Sequence, residues 1–387
     1  MERRDGPVYL DCAATTPLDP RVREILLRHL EADFGNAGSR THDYGRRARA
    51  AVEQARQQVA AVVSASRGEV IFTSGATESN NLSILGLESR GRRTGKLHIV
   101  ATAIEHHAVL GPIEALESRG FRVTRVTPEP SGQIHPDAIR DALQPDTLLV
   151  SVMQVNNETG VRQPIAAIAD LLDCHAAYFH VDAAQGYGKD IDGLRHPRID
   201  LISVSGHKIH APQGIGALVA RRRGRQRPPL TPLFHGGGQE LGVRSGTLPV
   251  ALIASLGRAA ELALSESERR EEVCRAFRKR LLAGLAPLQP VIHGDPSLSV
   301  SHIVNLAIPG VEAETVMEAW QDLAAVSNGA ACSSQFYTCS HVLSAMRIPE
   351  DQKAGALRLS WCYLTPAPDF SGMVQCIRAL EVPIATS

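Results

Sequence analysis

Lysine is scarce in this chain. Five of its 41 basic residues are Lys, which leaves 41 − 5 = 36 arginines, a bias that reads mainly as genome composition. There is no excess charge of either sign, because 41 Asp and Glu balance the 41 Lys and Arg. A formal charge of zero gives no global pull toward nucleic acid or an anionic membrane. Cysteine pairs are missing as well. Cys12, Cys174, Cys274, Cys332, Cys339, Cys362 and Cys376 are odd in number and contain no CxxC spacing. That pattern argues against both a disulfide framework and a structural zinc site. The opening MERRDGPVYLDCAATTP lacks the apolar core of a signal peptide, and no later run is long enough to span a bilayer. Neither GxGxxG nor GxxxxGK[ST] occurs. These absences together lead to an expectation of a reduced, soluble, cytoplasmic protein with no metal, no direct nucleic-acid contact and no membrane contact.

What is present points to an enzyme with a large core, since 43% of the 387 residues are hydrophobic. Short apolar runs rich in β-branched residues recur at 69–73, 97–103, 121–127, 147–153, 178–183, 201–206 and 215–220. Most are continuous rather than alternating, as strands buried on both faces should be. Helix-like segments such as 107–119 and 163–176 separate them. This alternation predicts an α/β fold with a mostly parallel, doubly wound sheet, whose ligands sit beyond the carboxyl ends of the strands. Residues 222–232 read as a basic, Pro-rich connector, more simply a solvated loop than a nucleic-acid patch, because no aromatics interleave its arginines. Residues 250–285 read as one long amphipathic helix, after which a second, smaller unit begins.

The chemistry-bearing residues cluster at the predicted strand ends. Lys208, in Ser205-Gly206-His207-Lys208, follows the run LISVS. A buried unpaired ammonium is costly, but in a cleft a lysine can form a Schiff base with a carbonyl cofactor. An exposed loop lysine is the plainer alternative. Asp182 ends the preceding run and suits a pyridine nitrogen that must stay protonated, although it could simply cap the next turn. The run Thr73-Ser74-Gly75-Ala76-Thr77-Glu78-Ser79-Asn80-Asn81 is a small-residue turn between a strand and a helix, a place where backbone N–H groups and hydroxyls can hold a phosphate; a plain capping box competes. His106, in Glu105-His106-His107 after LHIVATA, has no carboxylate or cysteine at metal-ligand spacing nearby, and a satisfied structural histidine is the plainer alternative. Stacking on a flat cofactor and proton transfer is its sharper reading. Cys332 lies in the small-residue run Ser327-Asn328-Gly329-Ala330-Ala331-Cys332, where a thiol is exposed to ligands rather than packed. Arg358, in the strand-like ALRLSW, is of the residue type that pairs bidentately with a substrate carboxylate, and on its own is just an arginine.

In this order the motifs resemble the cysteine desulfurases, pyridoxal-phosphate enzymes of the class V aminotransferase fold. The resemblance runs nearly the whole chain, through Tyr9-Leu10-Asp11-Cys12-Ala13-Ala14-Thr15-Thr16-Pro17, Phe34-Gly35-Asn36, the SGATES turn, Asn156-Asn157-Glu158-Thr159-Gly160, HVDAAQ, SGHK, HGGGQE with RSGT (235–247), and the Ala331-Cys332 loop. It implies a large cofactor domain over 16–260 and a smaller α+β domain formed by 1–15 and 261–387. Lys208 would then carry pyridoxal 5'-phosphate and move protons, Asp182 would pair with the pyridinium nitrogen, Gln185 would bond the phenolic oxygen and His106 would stack on the ring. Thr77, Ser205, His207 and the Ala76 backbone would hold the phosphate. Asn157 and Arg358 would fix the carboxylate of L-cysteine, and Cys332 would take its sulfur as a persulfide, leaving L-alanine. Thr247 matches the residue that reaches a neighbouring subunit's site, which implies a homodimer.

The same resemblance places the chain in the longer-loop branch that serves iron–sulfur cluster assembly, with a weaker likeness to desulfurases of DNA phosphorothioation. A sulfur-acceptor protein for one of these routes, or for tRNA thiolation, is therefore implied. SNGAAC stands where a Ser-Gly-Ser-Ala-Cys-type run is usual, and Ala356-Leu357 precede Arg358 where hydroxyl residues are common. Cys339, seven residues past Cys332, reads as a bystander thiol, with a sulfur relay or a disulfide as the alternatives. Two rivals remain. A selenocysteine lyase or aminotransferase would keep Lys208 and Asp182 without needing Cys332, and a non-catalytic docking subunit predicts loss of Lys208, Asp182 or Arg358, none of which is lost.

Overall fold

The computed structural model describes residues 6–328 and 340–380. Each of the seven apolar runs forms a strand of one seven-stranded sheet. In chain order, with β1 (Val8–Tyr9) lying outside this sheet, they are β2 (Val70–Thr73), β3 (His98–Thr102), β4 (Arg122–Val126), β5 (Thr147–Met153), β6 (Tyr178–Asp182), β7 (Leu201–Ser205) and β8 (Gly216–Ala220). Their spatial order is β2-β8-β7-β6-β5-β3-β4. The block from β4 to β7 is parallel, whereas β8 runs antiparallel to both β7 and β2. Every residue of β3, β5, β7 and β8 is buried, which is why their sequences do not alternate. β4 lies at the sheet edge, buries only Val126 and carries Arg122 and Arg125; charge of this kind blunts an edge against further strand pairing.

A second, smaller layer follows. The strands β9 (Val291–His293), β10 (Ile303–Ala307) and β12 (Ala356–Ser360) form an antiparallel sheet in the order β12-β10-β9. β1 pairs in parallel with β11 (Ala324–Ala325). Trp320, Trp361, Phe277, Leu281, Leu357 and Leu10 share one buried cluster there, so the N-terminal segment packs with the C-terminal part of the chain. The helix expected over 250–285 is two helices, Val250–Ser265 and Ser267–Leu285. They part at Glu266, whose backbone leaves the helical region (φ −114°, ψ 12°). Its carboxylate pairs there with Arg21 at 2.5 Å and with Arg270 at 2.9 Å. The apolar periodicity continues across this point, so the break is invisible in the pattern; the partner Arg21 is 245 residues away. The 222–232 connector carries no helix or strand, and Arg223 turns back to Asp200 at 2.5 Å.

The loop after β8 is anchored by one carboxylate. Glu240 accepts two hydrogen bonds from Arg56 of helix Asp43–Val62, at 2.7 and 2.9 Å, and one from the Phe72 N–H of β2 at 2.7 Å. Its side chain is 2% exposed and that of Arg56 11%. Glu240→Ala would leave the buried Arg56 with only the more exposed Glu53 and the Val70 carbonyl, and removing one partner of a buried pair costs about 3–5 kcal/mol. Urea denaturation of the variant should show a loss of that size, and a loss below about 1 kcal/mol would mean that water reaches Arg56 freely.

His180 of β6 stitches three strands together. Its ring nitrogens sit 2.8 Å from the Ser151 hydroxyl of β5 and 2.9 Å from the Ser203 hydroxyl of β7. Burial pushes its pKa from 6.5 down to about 4, so the folded chain holds it neutral where the unfolded chain protonates it. The stability this contributes is complete above pH 6.5 and is lost as the pH falls through the interval to about 4. His210, buried and likewise held at about 4, adds in the same direction. The urea midpoint should therefore fall between pH 7 and pH 5, and His180→Asn should shed part of that slope. A slope unchanged by the substitution would assign the effect elsewhere.

Candidate active site

The carboxyl ends of β6 and β7, together with the turns after β2, β3 and β5, open into one cavity of about 510 Å³. Ten of the residues singled out in the sequence line it: Ala76, Thr77, His106, Asn157, Asp182, Gln185, Ser205, His207, Lys208 and Arg358. Thr247 does not. It is exposed on the loop that follows Glu240, outside this cavity. Cys332 and Cys339 lie outside the described residues.

Lys208 follows β7 in a single 3-10 turn, Gly206–Lys208, which turns its side chain back over the sheet end. Its Nζ donates to the carbonyl oxygens of Ala13 and Ala14, the second at 2.7 Å. The amine in the cleft is thus held by two backbone acceptors from the N-terminal segment. Asp182, 5% exposed at the end of β6, accepts from the Asn80 amide at 2.8 Å and from the Ala184 N–H at 2.9 Å. It therefore caps its own turn and still faces the cavity, so the two readings of this residue are compatible. Gln185 donates to the Ala13 carbonyl at 2.8 Å, while its buried Oε1 has no partner. An orphaned buried polar atom beside an open cavity is what a polar ligand would satisfy.

His106 is the N-cap of helix His107–Ser118, and its Nδ1 accepts from the Ala108 N–H at 3.0 Å. That bond leaves only Nε2 to face the cavity. Burial lowers the ring's pKa, so it sits there as a neutral imidazole with its proton on Nε2. Beneath it, Glu105 is fully buried, accepting from the Thr102 hydroxyl at 2.6 Å and the Met153 N–H at 2.7 Å. Burial pushes its pKa up to about 8. The carboxyl is thus protonated at neutral pH, and Asp182 has no second negative charge beside it. His207 is lowered to about 4 by burial and by Lys208, and its Nδ1 lies 3.1 Å from the Thr15 hydroxyl.

At the other end of the cavity Arg358, 1% exposed on β12, donates to the Asn157 carbonyl at 3.1 Å and pairs with Asp11 at 2.7 Å. Its Nε is buried without a partner. Asn157 lines the cavity, whereas its neighbour Asn156 turns inward and shapes the loop, accepting from the Glu158 and Thr159 N–H groups at 2.9 Å each. At the phosphate end, helix Ala76–Leu85 opens on the cavity with its first turn, where backbone N–H groups have no intrahelical acceptor. Glu78 does not complete a conventional cap there. It accepts from the Ser74 N–H at 2.7 Å and pairs with Arg244 at 2.9 Å, which leaves Thr77 exposed at the mouth.

Sequence reasoning passed over Asn80, Asp11 and the carbonyls of Ala13 and Ala14. Asn80 sits one turn into a helix that had been valued for its first residues only. Asp11 and the two carbonyls meet their partners across 172 to 347 residues of chain, and no local pattern marks such a pairing. The donor set fits a flat, anionic cofactor with a cationic ring nitrogen: a carboxylate at one point, a lysine within the same cavity, an unsatisfied amide between them and a helix start beyond.

The family model for class-V aminotransferases matches residues 8–367. A cysteine desulfurase from Rattus norvegicus is 44% identical over 378 residues, covering 97% of this chain and 83% of its own. The crystal structure of DndA from Streptomyces lividans superposes with a TM-score of 0.81 at 50% identity, covering 93% of this chain and 100% of that one. SspA in complex with cysteine gives 0.81 at 34% identity, with coverage of 93% and 100%. With a matching sheet, a matching family model and relatives this similar over nearly its whole length, the chain belongs to the class-V aminotransferases, and within them it is a pyridoxal-phosphate-dependent cysteine desulfurase.

Proposed function

We propose that Lys208 binds pyridoxal phosphate and moves protons at the substrate, and that Asp182, Gln185 and His106 hold the ring. The Ala76 backbone, Thr77, Ser205 and His207 hold its phosphate, and Arg358 with Asn157 holds the carboxylate of L-cysteine. One observation carries this reading: Lys208, the Asp182 carboxylate and the Arg358 guanidinium, from three distant parts of the chain, face a single cavity. When bound, the cofactor supplies an electron sink conjugated to the substrate amino group.

The chain's own groups do the rest. Asp182 is held by Asn80 and Ala184 N–H so that its carboxylate stays fixed toward a cationic ring nitrogen. Arg358 is preorganised by Asp11 and the Asn157 carbonyl, which lowers the ordering cost of gripping a carboxylate. Lys208 Nζ is the group able to take the substrate α-proton and return it, with His106 Nε2 as a second proton donor on the cavity wall. Cys332, as thiolate, attacks the sulfur of L-cysteine. The carbon–sulfur bond breaks and its electron pair stays on the carbon, which takes a proton to give L-alanine, while Cys332 carries the persulfide.

The wider proposal follows the sequence resemblance. The persulfide passes to an acceptor protein of iron–sulfur cluster assembly, DNA phosphorothioation or tRNA thiolation, and the enzyme works in the cytoplasm as a homodimer with Thr247 at the partner's site. Residues 16–260 act as the cofactor domain, with 1–15 and 261–387 as the small domain. No described helix is long and apolar enough to cross a membrane. A single-turnover experiment tests the core of the proposal. Holoenzyme mixed with one equivalent of L-cysteine and no reductant should form one equivalent of alanine, and the Cys332 peptide should gain the mass of one sulfur atom. Alanine without added sulfur on that peptide would reject Cys332 as the acceptor.

A further inference from the structure

A second cluster of reactive groups lies away from the cofactor cavity, where the N-terminal segment meets the turn after β12. Cys12 and Cys362, 2% and 7% exposed, have their sulfurs on one shared hydroxyl. The Thr365 hydroxyl serves both, 3.6 Å from the Cys362 sulfur and 4.0 Å from that of Cys12. Because Thr365 Oγ1 accepts from the Cys362 N–H at 3.0 Å, its hydroxyl hydrogen is available to a sulfur. A small cavity of about 40 Å³ adjoins the pair, lined by Cys362, Lys189, Cys274 and His302 and rimmed by half-buried Ser267 and Arg270.

Two features of that cavity point to a reacting ligand. The Nε2 of His302 is buried there without a partner, on a side chain only 5% exposed. Lys189 has no carboxylate at ion-pair distance among the described residues, and the groups whose negative charge would favour its ammonium are the sulfurs of Cys12, Cys274 and Cys362. The volume exceeds that of one water site, roughly 10–15 Å³ by the same measure, and so admits a two-oxygen molecule but no thiol peptide.

We propose that Cys362 and Cys12 form a peroxide-reactive dithiol, with Cys362 as the attacking thiol and Cys12 as the resolving one. Cys362 lines the cavity and Cys12 does not, which fixes that order. The neighbouring Cys12 thiol lowers the pKa of Cys362, whereas Cys362 and burial raise that of Cys12. The Cys362 thiolate attacks one oxygen of hydrogen peroxide and the O–O bond breaks. Hydroxide leaves and takes up a proton as water, and Cys362 becomes a sulfenic acid. Cys12 sulfur then attacks the sulfenic sulfur, the S–O bond breaks and a second water leaves with the Cys12 proton. Two thiols are oxidised to one disulfide and one peroxide is reduced to two waters. The link would join the segment bearing Asp11 and Ala13 to the strand bearing Arg358.

The test uses the cofactor-loaded Cys332→Ser/Cys376→Ser protein, which removes the catalytic thiol and the second cysteine on the Cys362 tryptic peptide. After hydrogen peroxide, alkylation in denaturant and digestion without reductant, mass spectrometry should find the Cys12 and Cys362 peptides joined, and dithiothreitol should separate them. With Cys12→Ala added, dimedone should label Cys362 instead. Both cysteines remaining alkylatable, or Cys362 oxidised with Cys12 still free, would overturn the pairing. Dimedone labelling of Cys12 in a Cys362→Ala protein would overturn the assigned order.

Discussion

Lys208→Ala should abolish sulfide release from L-cysteine, with turnover falling by at least about 10³-fold. The purified variant should also lose the visible absorbance of the wild type. The residue's place in the fold explains why nothing else substitutes for it. Its Nζ sits on the carbonyls of Ala13 and Ala14, so the amine is held at the floor of the cavity in the position from which it can reach both cofactor and substrate. The other basic groups that line the cavity are committed: Arg358 to Asp11 and Asn157, His106 through Nδ1 to its helix, and His207 through Nδ1 to the Thr15 hydroxyl. Removing the amine also leaves two carbonyls without their donor, so circular dichroism and a urea midpoint should accompany the assay. A folded variant that keeps more than about a tenth of wild-type turnover would remove Lys208 from the chemistry.

Cys332→Ala should leave the colour and the cofactor content unchanged while sulfide release in the presence of a reductant drops to background, again at least about 10³-fold. The separation between the two variants is the informative part. Every group proposed to hold the cofactor lies at the carboxyl ends of β6 and β7 or on the segments that follow β2, β3, β6 and β7, and none is Cys332, so binding and sulfur transfer should come apart. Equal release from variant and wild type would favour a lyase in which the sulfur leaves without a protein thiol. Intermediate release would direct attention to Cys339, seven residues further on, as a replacement nucleophile, and the Cys332→Ala/Cys339→Ala double variant would then fall to background.

These two expectations rest on different kinds of information. The strands were legible because a strand buried on both faces needs an unbroken apolar run, and all seven runs became neighbours in one sheet. Their direction was not: β8 is as apolar as β7 and lies antiparallel to it, because burial on both faces looks the same whichever way the chain runs. The break at Glu266 was hidden for a related reason. Apolar periodicity reports which face is buried, while the helix ends where a carboxylate meets Arg21 from the far end of the chain.

At the site, Lys208, Asp182 and His106 were legible because each follows a readable strand directly, and strand ends are where an open α/β sheet exposes its ligands. Arg358 was legible only through its motif. What makes it a rigid clamp is Asp11, 347 residues earlier. The neutral state of Glu105 belongs to the same class of fact, since a glutamate before a histidine reads as a charged turn residue until the sheet closes over it. So does the meeting of Cys12 with Cys362. The sequence by itself determined which segments would be strands and which short motifs would stand at their ends, since both follow from local burial and local turn chemistry. Only the tertiary structure decided which distant groups would touch, and with that their charge states and their reach, because desolvation and hydrogen bonding act over a few ångströms of space and take no account of separation along the chain.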